Sequence, residues 1–491
     1  MGNQVNKNNQ SLGFLLATIS MAFLFSISVA YAGPGENIRL GRNAMNHNHP
    51  NLALTHFRKS IKEIDENPEK YVSEKLSALA GLGYAALWVG NSHEAEYTYT
   101  KGLSLAKGLE DQKTMRVGLA RALINLGRPR EAYDVLKPVH AMSSDTELQS
   151  AIASALLGWT SVADKHLLAA APHGEYLGPR WQARLYQQTS NFIYFPLNNE
   201  VNVGYHYSSD SDHNINQIYN AGITIPGSGL GDNILSPTQW YVGVRQTQIN
   251  DRIGQIGISS VRGGWSVPLN RDWQYAILGA ISTSRNWTFG ELKGQINYQP
   301  SDSWGLNLSV DRAPIRTVTA VKNKILVNTI SMGGFGRLRN IGTFSVSYFH
   351  QAFSDGNNRN GVIARITPEF YSFSSIPVSL GVQGYFRDYT SGYVPFDGYF
   401  NPHHYMEALG YIIYVQKFSP YSVVRLYAGF GSQTVDGITT PVKDFYGTIT
   451  EIVSRNLEVS LTGGYTQVAS SYGGGPGYHR SYVGANFTIP F

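Results

Sequence analysis

The chain has 491 residues, of which 15% are charged and 12% aromatic, with a formal net charge of +5 and a slightly negative mean hydropathy. That pairing excludes a disordered polyelectrolyte and a polytopic helical membrane protein and, with no Lys/Arg block, a nucleic-acid binder. The absence of cysteine removes disulfides, thiolate metal sites and cysteine nucleophiles together.

At the N-terminus Lys7 precedes an apolar stretch from Leu12 to Val29, closed by Ala30-Tyr31-Ala32 and Gly33. These are the charged, hydrophobic and small-residue parts of a secretory signal, so residues 1–32 read as a signal peptide cleaved after Ala32. A retained anchor is the competing reading, disfavoured by the small-x-small ending and the lack of a basic flank. Beyond residue 32 no stretch reaches the ~20 apolar residues a helix needs to cross a bilayer.

Residues 33–190 are rich in Ala, Leu, Glu and Lys and read as helices. A helix-pair pattern recurs: Leu40-Gly41 with Ala53 and Phe57, Leu82-Gly83 with Ala95 and Tyr99, Leu119-Ala120 with Ala132 and Leu136. A weaker unit runs through Leu156, Gly158, Ala163 and Leu167. Small residues that let helices approach, at fixed offsets from large ones that fill the gap, resemble tetratricopeptide repeats. Gly90-Asn91-Ser92 and Gly127-Arg128-Pro129 supply the turns. A generic helical bundle is the alternative. His47, His49 and His140 sit at loop-like positions with no third spaced ligand, so no metal site is assigned.

From about Asn199 the pattern changes to period two. Trp304, Leu306, Leu308 and Val310 alternate with small or polar residues, as do Val378, Leu380 and Val382, and Leu457, Val459 and Leu461. About sixteen such segments can be placed from 200–208 to 479–491, 318–331 among them, an even number that suits a single-chain barrel. Trp240-Tyr241, Trp273, Trp287, Tyr348-Phe349 and Tyr371 crowd segment ends as an interfacial girdle would. Glycine-rich stretches at 226–233, 354–361, 389–400 and 469–477 read as the longer external loops. The expected fold is therefore a short α-solenoid (33–190) followed by a transmembrane antiparallel β-barrel of about 16 strands (198–491) in the outer membrane, with the repeats in the periplasm.

A barrel of that size leaves an aqueous lumen. The inward register carries Lys293, Asp311, Arg365, Arg387, Arg425 and Glu458, a mixture of signs at odds with strong ion selectivity. Inward Tyr385 and Tyr427 could stack on sugar rings, or these residues could simply brace the lumen. The last strand places Val483, Ala485, Phe487, Ile489 and Phe491 on one face and resembles a barrel-assembly signal, here Phe487, Ile489 and Phe491.

Signal, repeats and C-terminal barrel form the layout of exopolysaccharide exporters. Asp311-Arg312-Ala313-Pro314-Ile315, Gly361-Val362, Gly398-Tyr399-Phe400-Asn401-Pro402 with Tyr405, and the closing strand from Tyr478 resemble the C-terminal domain of the cellulose synthase operon C family. The resemblance implies an outer-membrane porin that passes a cellulose-like glucan without cofactor or covalent chemistry. It further implies membrane lipid, the barrel-assembly machinery, the polysaccharide and periplasmic or inner-membrane synthase components as partners. The array is shorter than is usual in that family, and poly-N-acetylglucosamine exporters share the layout. An adhesin or phage receptor is the alternative function. No Gly-x-Ser-x-Gly elbow, phosphate loop or His-Glu-x-x-His helix supports an enzyme.

Overall fold

Small residues facing large aromatic ones decide how the first helices pack. The computed structural model describes residues 33–227, 235–339, 341–373, 378–392, 398–470 and 473–491, so the expected signal at 1–32 lies outside it. Two compact units divide between Leu126 and Gly127. The first holds α1 (Pro34–Asn46), α2 (Pro50–Glu66), α3 (Val72–Trp88), α4 (Ser92–Leu105) and α5 (Leu109–Asn125). Phe57 of α2 lies against Gly41 and Gly81, where an added Cβ would come within 2.8 and 2.2 Å of its ring, and Tyr99 of α4 lies likewise against Gly83 and Gly118. The expected small and large positions thus interlock, and Gly90, at φ +78°, ends α3 in a conformation that glycine adopts without strain.

The second unit holds α6 (Pro129–Leu136), α7 (Ser144–Leu156), α8 (Thr160–Ala170) and α9 (Arg180–Leu197), followed by a closed sheet. Composition marks a boundary near residue 190, but α6 to α9 belong to the same compact unit as the sheet. Its strands are β1 (Glu200–Asp210), β2 (Ile215–Gly227), β3 (Thr238–Asp251), β4 (Gly254–Pro268), β5 (Trp273–Ser284), β6 (Trp287–Tyr298), β7 (Trp304–Pro314) and β8 (Leu326–Leu338). They continue as β9 (Gly342–Phe353), β10 (Asn358–Pro368, resuming at Tyr371–Ser372), β11 (Val378–Ser391), β12 (His404–Lys417), β13 (Val423–Val435), β14 (Ile438–Ser454), β15 (Leu457–Thr466) and β16 (Arg480–Pro490).

Each strand pairs antiparallel with its neighbours, and β16 pairs with β1 from Glu200↔Pro490 to Asp210↔Arg480, so the ring closes at 16 strands without a free edge. Because side chains alternate, one face of every strand points outward. That face is apolar: Val242, Val261, Ile281, Leu306, Met332 and Val382 are all exposed on it.

Three expectations are corrected. Residues 318–331 are not one strand: a helix, α10 (Val318–Lys322), precedes β8. Its Val318, Ala320 and Val321 are buried, and one helical turn packs those apolar residues together. The glycine-rich stretch at 226–233 lies, beyond Gly227, outside the described residues. The stretch at 354–361 is only partly a loop, since β10 begins at Asn358. Finally, only Trp240, Trp273, Tyr348 and Tyr371 face outward, whereas Trp287 packs on the inward Phe289 at 3.9 Å and Phe349 is buried. Adjacent residues in a strand point oppositely, so Trp240-Tyr241 and Tyr348-Phe349 each give one ring to the outside.

Candidate functional site

The lumen wall is built by the inward register, and the structure groups its polar residues into two patches. On β3 to β7, Arg245 and Glu291 form a buried ion pair at 2.5 Å, and Glu291 also accepts from Ser282. Lys293 and Asp311 face each other in register across β6 and β7 beside this pair. Arg245 and Glu291 escaped the sequence reading, although both lie on the register that carried Lys293.

Across β10 to β14 the wall turns aromatic. Arg365 and Tyr385 are register partners, with the guanidinium 5.0 Å from the ring centre. Tyr427 stacks on Tyr446 at 4.2 Å and 9°, and Tyr411 meets both rings edge-on. Arg365, Tyr385, Arg387, Glu407, Asp444 and Tyr446 line a cavity of about 320 Å³. The structure therefore brings Arg365, Tyr385 and Arg387 together, sets Tyr427 behind them, and adds Glu407, Tyr411, Asp444 and Tyr446. Arg425 lies in register with Val415 and Thr448, and Glu458 with Thr488 near the helix end; neither lines this cavity. Phe487, Ile489 and Phe491 are exposed on the outer face of the closing strand.

At the far mouth, the segments quoted for the family resemblance meet. Thr317, in the β7–β8 loop, donates to the Gly398 carbonyl at 2.6 Å, and Ile315, Ala320, Ile325, Phe353 and Tyr399 form one buried cluster. Tyr399 donates to Asp355 at 2.7 Å. Phe400 packs with Phe349, Tyr389, Tyr405 and Ala469, and Tyr478 bonds Ser470 at 2.7 Å. Helix α10 is seated on Ile249, Ile256, Ile258 and Phe289 of the inward face. Three loops, from β7–β8, β11–β12 and β15–β16, thus touch one another across the opening.

At the near mouth, α6 to α9 abut the turns. Arg130 reaches Asp272 at 2.9 Å and the Arg271 and Gln299 carbonyls at 2.5 and 2.8 Å. Asp302 accepts the Glu131 amide at 2.9 Å, an anion at the first turn of α6 where the helix dipole favours one; burial nonetheless pushes its carboxyl above the ordinary range. Arg271 pairs with Asp134 at 2.9 Å. Toward β12–β15, Tyr421 bonds Thr189 at 3.1 Å and stacks on Phe192, and Arg455 lies 4.0 Å over Tyr194. The helices therefore touch turns from β2 to β7 and again from β12 to β15. Among the described residues no helix is long and apolar enough to cross a membrane.

No family model matches the chain, and no curated protein matches it. Among solved structures it is similar to a bacterial polysaccharide outer membrane secretin, at 15% identity and a TM-score of 0.49 over 60% of this chain and 99% of that one. It is also similar to a TPR protein of Thermus thermophilus, at 21% identity and 0.27 over 33% and 88%, and to OprB of Pseudomonas putida, at 8% identity and 0.33 over 63% and 97%.

Proposed function

We propose that this protein is an outer-membrane channel through which an exopolysaccharide, a cellulose-like glucan, leaves the cell. The observation that carries the reading is a closed ring of 16 strands, apolar outside and lined inside by tyrosine, arginine and carboxylate side chains. In lipid every backbone polar group must be paired, which a closed barrel achieves. A ring of this number is wide enough for an aqueous lumen.

In this reading α6 to α9 face the periplasm, dock synthase components and present the emerging chain to the lumen. The tyrosines offer flat apolar faces to sugar rings, and no covalent step is assigned to any residue. Outward Phe487, Ile489 and Phe491 would present the closing strand to the assembly machinery. The loop cover at the far mouth must part before polymer emerges.

The test is planar-bilayer recording of the full chain and of a variant whose residues 316–324 are replaced by a flexible Gly-Ser linker. The variant should conduct in larger steps than the parent, and cellotetraose added on the helix side should reduce its current. An uncovered barrel that neither conducts nor responds to the oligosaccharide would overturn the proposal.

A further inference from the structure

The cavity on the β10–β14 wall holds its carboxylates with tyrosine hydroxyls and leaves the Arg365 guanidinium without a carboxylate partner among the described residues. Glu407 accepts the hydroxyl of Tyr405, and Asp444 accepts that of Tyr411 at 2.6 Å. On the facing patch, Arg245 and Glu291 neutralise each other. Arg365 differs. It is exposed to the lumen, its guanidinium lies over the face of Tyr385, and among the described residues it forms no ion pair. Arg387, in register with Glu407, lies over Tyr389 and Tyr405 at 5.0 and 5.7 Å, and its buried Nε has no hydrogen-bond partner.

A guanidinium carries five donors in a planar fork and no acceptor, and buried donors without acceptors are costly. The fork matches an anionic oxygen group in bidentate fashion. Two such groups around one cavity, beside the stacked Tyr427 and Tyr446, leave a place for a ligand that combines a ring face with an anion. We propose that this cavity is a subsite for a sugar bearing a carboxylate, so that the transported glucan is an acidic one, held by Arg365 and Arg387 and packed on the tyrosines. This rests on the reading of the barrel as a polysaccharide channel and narrows its substrate class.

The experiment is isothermal titration calorimetry on the full chain in detergent micelles. The probes are a tetramer of β-1,4-linked glucuronate, cellotetraose of the same length and linkage, and glucuronate monomer. The acidic tetramer should bind about tenfold tighter than cellotetraose or the monomer, and that margin should shrink at about 0.5 M salt as charge is screened. Arg365→Gln, on an exposed side chain, should lose about tenfold in affinity for the acidic tetramer, with Arg365→Lys retaining part of it. Cellotetraose binding as tightly as the acidic tetramer overturns the acidic assignment while leaving the polysaccharide reading intact. Binding of neither tetramer overturns both. Monomer binding as tight as the tetramer, or unchanged affinity in both Arg365→Gln and Arg387→Gln with the barrel folded, also overturns it.

Discussion

Arg130→Ala should loosen α6 to α8 from the barrel without unfolding the strands. The Arg130 side chain is only 9% exposed and meets an Asp272 side chain that is 39% exposed, so the ion pair is screened and is counted at about 1 kcal/mol. Its two bonds to the Arg271 and Gln299 carbonyls are charge-assisted and contribute about 1.5 kcal/mol each at the low end of their range. Together these give about 3 to 4 kcal/mol, and opening becomes roughly tenfold easier per 1.4 kcal/mol. Amide exchange over residues 129–170 should therefore accelerate roughly 100- to 1000-fold, followed by mass spectrometry in detergent, with strand amides unchanged. An acceleration below about threefold would refute the view that Arg130 anchors these helices.

Gly118→Ala places a methyl 2.2 Å from the Tyr99 ring and should cost about 1–3 kcal/mol by overpacking, read as a lower melting midpoint at 222 nm. Leu306→Arg puts a charge on the outer face, where Leu306 is 54% exposed. It should cost about 2–4 kcal/mol in urea refolding into bilayers, whereas Asp311→Asn, facing the lumen, should refold normally. Burial acts against the charged form of Glu147, but the His166 contact and the Ala141 amide outweigh it and hold its carboxyl below the ordinary 4.5. Its contribution is thus fully present above pH 4.5 and is lost as pH falls through the depressed value. Acid-induced loosening of α7, followed by exchange, should be weaker in Glu147→Gln than in the parent.

Period-two alternation made the strands legible: 287–298 and 404–417 end where the sequence places them, because an outward face must stay apolar along its whole length. The packing of Gly41 and Gly83 against Phe57 and Tyr99 was legible for a similar reason, since those offsets recur. Residues 318–331 were not legible: Val318, Thr319 and Val321 favour strands locally, and only burial of Val318 and Val321 beneath Ile249 and Ile256 stabilises a helical turn there. Alternation identified Arg365, Tyr385 and Arg387 as inward but could not pair them with Glu407 or Tyr446, which arrive from other strands. The Arg130 anchor, 142 residues from Asp272 in sequence, leaves no local pattern at all.

The most direct test of an export channel is the fate of the polymer in a strain lacking this protein. Surface polysaccharide should vanish while synthesis capacity inside the cell persists, and the intact chain supplied in trans should restore it. Normal surface polysaccharide in the deletion strain would contradict the account.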